Sequence, residues 1–204
     1  MFTQDEVSTK EKIMRAAAKL FSEKGYSKVT TREIAKAVGI NSASIYYHFS
    51  SKEDLLKSLY QFYTEVRRKE CPDLHELLLL AETEPPYEVL IKSEFHFDSK
   101  KREILDQILV TAAREFCADS ESERFICENI FDNIINILKP LLARLIELKK
   151  ISPFDIDTFL KVMSYYCFSA AALNNSNLKQ SIAEYQAGMS YLFSTIAPVQ
   201  PAGN

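Results

Sequence analysis

The chain has 204 residues, 47% of them hydrophobic and 26% charged, which is the composition of an ordinary folded domain and excludes a disordered or fibrous chain. No apolar run reaches the roughly 18 residues of a membrane-spanning helix, and the N-terminus lacks the basic-then-apolar pattern of a secretory signal, so a cytoplasmic location without membrane contact is expected. The net charge of −3 conceals an asymmetry: residues 1–52 carry nine Lys/Arg against five Asp/Glu, and residues 53–204 carry sixteen against twenty-three. A basic head on an acidic body points to a head that meets a polyanion.

Apolar residues recur at helical spacing throughout, and no strand-like alternation is sustained. Ser8 and Glu11 form a capping box for the first helix, whose inner face carries Ile13, Ala16, Ala17, Leu20 and Phe21 before Gly25 stops it. Thr30 and Glu33 cap a short second helix with Ile34, Ala35 and Val38 inward, and Gly39 ends it. Asn41 caps a third helix, Ser42 to Phe49, and Ser50 with Glu53 caps a fourth over about 52–69.

Cys71-Pro72-Asp73 and Glu84-Pro85-Pro86 break the chain around short helices at 74–80 and 87–97. Asp98 or Ser99 caps a helix running to about 117, and apolar spacing persists over 121–149, where Pro140 must kink or divide the helix. Pro153 reads as the first residue of the next helix, which Asn174-Asn175 closes, and the last helix spans about 178–196. The pattern predicts an all-α fold of nine to ten helices.

Residues 30–49 carry the most specific signal. A helix-turn-helix needs a small residue where its two helices cross, a left-handed turn and one apolar plug; Ala35, Gly39 and Ile40 supply them. The second helix buries Ile45 and Phe49 and leaves Ser42, Ala43, Ser44, Tyr46, Tyr47 and His48 outward. Small side chains at 42–44 let that helix approach the major-groove floor, and the aromatic end suits the phosphate walls. Thr31 and Arg32 open the preceding helix, whose N-terminus favours phosphate, and Lys52 offers another cation.

The four cysteines, Cys71, Cys117, Cys127 and Cys167, form no C-x-x-C pair and lack a histidine at zinc-finger spacing, so reduced thiols and no metal are expected. His48, His75 and His96 are scattered, and no nucleophile elbow, H-E-x-x-H or Gly-rich phosphate loop occurs, so neither enzymatic activity nor a cofactor is expected.

The run Ala16-Ala17, Leu20-Phe21, Gly25-Tyr26, Thr30 to Ala35, Val38-Gly39-Ile40, Ile45 to Phe49 and Ser51 to Leu56 resembles the TetR family of bacterial repressors, over about residues 8–60. The resemblance implies a three-helix DNA-binding head (5–52), a connecting helix (52–69) and an all-helical effector-binding and dimerisation body (70–204). It implies base contacts from Arg32, Ser42, Ala43 and Ser44, and phosphate contacts from Thr31, Tyr46, Tyr47, His48 and Lys52. By the same resemblance Asn41 is a cap that also touches DNA. Relatives often carry Gly or Pro where this chain has Ala43.

One short recognition helix specifies little, so two heads on a near-palindromic operator are expected. The helices 153–173 and 178–196 carry more apolar residues than one buried face needs, with Ala170 to Ala172 and Gly188 permitting close approach; they are the expected homodimer face. By resemblance the body holds a small-molecule effector, with Tyr60, Tyr63, Phe95, His96, Arg114, Phe131, Tyr165 and Tyr166 as candidate lining. The resulting reading is a ligand-released repressor. Its alternative is an effector-independent helical DNA-binding or structural protein of the same fold.

Overall fold

The computed structural model describes residues 8–93, 99–172 and 178–196, apart from the side chains of 99, 100 and 178–186. These residues are helical with no strand among them: α1 (Thr9–Lys24), α2 (Thr31–Val38), α3 (Ser42–His48), α4 (Lys52–Glu70), α5 (Leu74–Thr83), α6 (Pro86–Ser93), α7 (Ser99–Glu115), α8 (Ser120–Ile126), α9 (Lys139–Glu147), α10 (Ile156–Ala172) and α11 (Leu178–Ile196). No helix among them is long and apolar enough to cross a membrane.

Local chemistry sets most of the boundaries. Ser8 accepts the Glu11 N–H, and the Thr30–Glu33 box is complete in both directions. Gly39 sits at φ 78°, ψ 30°, the left-handed conformation that costs a residue with a Cβ, and its N–H closes α2 onto the Ala35 and Lys36 carbonyls. Asp73 and Glu76 form a further capping box at α5, which the Cys71-Pro72-Asp73 break foreshadows.

Three starts and joints differ from the sequence reading. At α4 the cap is Ser51, which accepts the Asp54 N–H, while Asp54 Oδ2 in turn accepts from the Ser50 N–H and hydroxyl. Adjacent serines make the two registers look alike in sequence, and the reciprocal Asp54 bonds select the later one. At α10, Asp155 accepts the Thr158 N–H and hydroxyl, so the helix starts at Ile156 and Pro153 lies outside it. Between α8 and α9 the chain stays helical across Pro140 by widening into two π segments, Cys127–Phe131 and Ile134–Leu138. The wider turn just before Pro140 accommodates a ring that would strike the carbonyl four residues back in an α-helix. The expected end of α10 at Asn174-Asn175 falls outside the described residues, as does the continuation of α6 toward 97.

A continuous core unites these helices. It runs from Ile13, Ala17 and Phe21 of α1 through Leu55, Leu59 and Tyr63 of α4 to Leu105, Leu141, Met163 and Phe193 in the body. α1 packs along α7, and both present alanines there: Ala17, Ala18, Ala112 and Ala113 are all buried, which lets the backbones approach closely. The head is thereby mounted on the body through α1 as well as through α4.

Candidate nucleic-acid interface

α2 and α3 stand against each other across the Gly39–Ile40 turn. Ile34, Ala35, Ile45 and Phe49 are buried and join the two helices to α1, with Val38 and Ile40 half-buried against the same core. Burying side chains of this size supplies about 1.5–3 kcal/mol each, so the turn is anchored from both sides.

The opposite face of α3 is open. Tyr47 is 86% exposed and Tyr46 55%, whereas Ile45 between its neighbours on the inner face is at 1%. Ala43 is exposed, and Ser42 and Ser44 are half-buried at the helix start. The Asn41 side chain accepts both the backbone N–H and the hydroxyl of Ser44, at 2.8 and 3.0 Å, so Asn41 and Ser44 order each other. Thr31 and Tyr46 share a hydrogen bond of 3.3 Å between their hydroxyls, which ties the start of α2 to the outer face of α3. His48 stands edge-on to Tyr47 at 5.1 Å and is half-buried. Arg32 is exposed beside this face. The structure thus joins Thr31 to Tyr46 and leaves Asn41, Ala43, Tyr46 and Tyr47 of α3 and its cap exposed, with Arg32 exposed on α2.

Electrostatics inside the head are local. The Glu33 carboxyl is held down to about 2 by the Thr30 backbone N–H, with Lys24 and the Thr30 hydroxyl assisting. Lys24 pairs with Glu33 at 3.0 Å, an exposed pair that links the end of α1 to α2.

Lys52 is placed differently from its sequence expectation. Its ammonium donates to the carbonyls of Tyr26 and Val29, both at 3.1 Å, and lies 4.2 Å from the centre of the Tyr26 ring. It fastens the turn between α1 and α2 from beneath and is half-buried there. Sequence reasoning missed this because the partners lie 23 and 26 residues away. The one available signal was the Gly25-Tyr26 turn, whose carbonyls need donors.

The candidate effector residues are spread through the body. Tyr60 stacks on Phe125 at 4.3 Å, and Tyr63 meets the same ring edge-on at 5.1 Å, both as buried core. Phe131 belongs to another cluster with Phe116 and Phe168. Tyr165 points outward, 70% exposed, and Tyr166 lies against Gly188. Arg114 reaches the Ser22 carbonyl of α1. Phe95 and His96 lie outside the described residues. A groove of about 390 Å³ lies between α4 and α8, lined by Lys57, Tyr60, Gln61, Thr64, Glu65, Glu121, Arg124, Phe125 and Glu128; among the described residues Tyr60 alone of the expected lining borders it. No cluster of metal-ligating side chains occurs among the described residues.

The helical pair, its capped and glycine-ended turn and its open aromatic face coincide with a family model. Residues 13–59 match the N-terminal model described as bacterial regulatory proteins, tetR family. The N-terminal head is thus similar to that of the TetR family. It is 40% identical over 100 residues to IcaR of Staphylococcus aureus, a negative transcriptional regulator of the biofilm operon icaADBC, across 47% of this chain and 50% of that protein. It is 37% identical over 83 residues to the HTH-type transcriptional regulator YerO of Bacillus subtilis, across 41% of this chain and 28% of that one. The matched stretch thus spans half or less of these relatives. The fold extends further: the chain superposes on a HlyIIR mutant protein with TM-score 0.64 at 20% identity, covering 94% of this chain and 97% of that one. A gamma-butyrolactone receptor described as ArpA-like gives TM-score 0.63 at 18% identity, covering 92% and 87%.

Proposed function

We propose that this chain is a TetR-type, sequence-specific, DNA-binding transcriptional repressor that acts as a homodimer and leaves its operator when a small molecule binds the body. The observation that carries this reading is the two-sided α3: a fully buried inner face under an outer face where Tyr46 and Tyr47 are 55% and 86% exposed. Large aromatic side chains held in water by a rigid, capped helix favour a partner. The similarity of the head to IcaR, named a negative regulator, supports repression.

In this reading Ser42, Ala43 and Ser44 approach base edges, with Arg32 beside them, and Asn41 holds the helix start. Thr31, Tyr46, Tyr47 and His48 line the phosphates. Lys52 orders the turn behind them. The exposed Val162 and Tyr165 of α10 and Tyr191 of α11, at 52%, 70% and 68%, favour these helices as the homodimer face. The effector shifts the body between two arrangements, and its leverage equals its difference in affinity for them.

The test is fluorescence anisotropy on a duplex selected by the protein from a randomised pool, titrated at several salt concentrations. The affinity falls steeply with salt as phosphate contacts release counterions. Tyr47→Ala weakens binding to all duplexes alike, whereas changes at Ser42 or Arg32 alter sequence preference. A flat salt response overturns the reading.

A further inference from the structure

The corner where α7 turns into α8 grips the head at two separate points. The first is on α1. The last carbonyls of a helix lack intrahelical donors and carry its partial negative charge. Gly25 N–H satisfies Phe21, one of these carbonyls in α1. The next, that of Ser22, accepts from the Arg114 guanidinium at the end of α7, across 92 residues of sequence. A cation at a helix C-terminus is favourable both as a donor and as a charge.

The second point is on α4. The Tyr60 hydroxyl lies 2.7 Å from Ser122 Oγ, and Ser122 donates to Asp119 Oδ2 at 2.6 Å. Because the serine proton is committed to Asp119, the tyrosine is the donor to the serine. Asp119 also caps α8 by accepting the Ser122 N–H at 2.8 Å, and its own N–H donates to the Glu115 carbonyl at 2.9 Å. The relay Tyr60–Ser122–Asp119 therefore ends in the same corner that presents Arg114. Ser122 is fully buried and Tyr60 nearly so, so water does not compete for these bonds. Lys57 and Glu121 add an exposed pair at 3.7 Å.

A head held through α4 alone could swing about that helix. A head held through both α1 and α4 by one rigid corner has its angle defined. We propose that Arg114 and Tyr60 are positioning residues through which the α7–α8 corner fixes the head's angle on the body, and thereby the half-site spacing that the dimer accepts. The inference rests on the DNA-binding, dimeric reading above. It gives Arg114 a role on α1 in place of the pocket-lining role suggested by sequence.

The experiment uses the full chain and duplexes built from a palindrome selected in vitro, with the half-sites moved by one or two base pairs, together with a duplex carrying a single half-site. The wild-type protein prefers its selected spacing by about tenfold, within the usual range of coupling between sites. Arg114→Ala and Tyr60→Phe reduce that preference to about threefold or less, while single half-site affinity stays within about twofold. Tyr60→Phe removes only the hydroxyl and keeps the ring stacked on Phe125, so it separates loss of the grip from loss of the core. Variants that keep the wild-type spacing preference overturn the proposal. So do variants that lose half-site binding in proportion, since the corner would then support the head's fold and not its angle. A wild-type protein that selects no duplex refutes the DNA-binding reading itself.

Discussion

Replacing Lys52 with alanine separates two roles that one lysine could play. In the structure its ammonium makes two 3.1 Å bonds to the Tyr26 and Val29 carbonyls and rests on the Tyr26 ring at 4.2 Å. Charged hydrogen bonds contribute about 1.5 kcal/mol each at the lower end, and a partly exposed cation–π contact about 0.5–1 kcal/mol. These share one group and are not additive, so the expected loss is about 2–3 kcal/mol. At about 2–4 °C per kcal/mol for a chain of this size, the melting temperature followed by circular dichroism should fall by roughly 5–10 °C. The salt dependence supplies the second readout. A lysine on phosphate contributes about −0.9 to the slope of log affinity against log salt; a lysine locked under the turn contributes nothing. Lys52→Ala should therefore lower stability and leave the slope unchanged. A melting temperature within about 1 °C of wild type, with the slope reduced by about one, would refute the lock and return Lys52 to the phosphate.

Gly39→Ala should cost about 1–2 kcal/mol in denaturant unfolding, because φ is 78° and nothing lies within 4 Å of the added Cβ, so the whole cost is backbone; Gly39→Asn should cost visibly less, and equal costs would refute the backbone argument. Gly188→Ala places a Cβ 1.9 Å from the Tyr166 hydroxyl, so α10 and α11 must separate or Tyr166 must leave; a loss of about 1–3 kcal/mol in unfolding is expected, largely relieved when Tyr166→Ala is added. Asp106 is half-buried, with Oδ2 sealed from water and lacking a well-formed hydrogen bond, and Arg102 at 3.5 Å only partly offsets a desolvation that raises its carboxyl from 3.8 to about 6. The folded state thus holds this proton more tightly than the unfolded state, and stability from this group falls as pH rises from about 4 through 6. Asp106→Asn should stabilise by up to about 3 kcal/mol at pH 8, with the gain vanishing near pH 4; a gain independent of pH would show that ionisation is not its source.

The head was legible because its determinants are close in sequence. A cap and its partner lie three residues apart, as at Thr30–Glu33 and Asn41–Ser44, and Gly39 announces its own dihedral angles. Where two local solutions compete the reading slips, as at Ser50 and Ser51, whose choice is made by the Asp54 carboxylate. Other features had no local signal. The π segments answer Pro140 without a break, which spacing cannot distinguish from a kink. Tyr60, Tyr63 and Phe131 have the periodicity of lining residues and of core residues equally, and only packing shows them set against other rings.

The long-range polar contacts follow a rule that sharpens this contrast. Lys52 and Arg114 each end on carbonyls at a terminus or turn of the head, Tyr26, Val29 and Ser22, which helical hydrogen bonding leaves open. A sequence reveals that such carbonyls exist, since every helix end has them, but not which distant cation satisfies them. From sequence Lys52 is assigned to DNA phosphate and Arg114 to the lining of an effector pocket, because neither carries a local sign of a carbonyl partner. Once the carbonyls of α1 and its following turn are counted, inward destinations become the more economical choice: Lys52 serves the turn within the head and Arg114 serves the end of α1 at the joint between head and body.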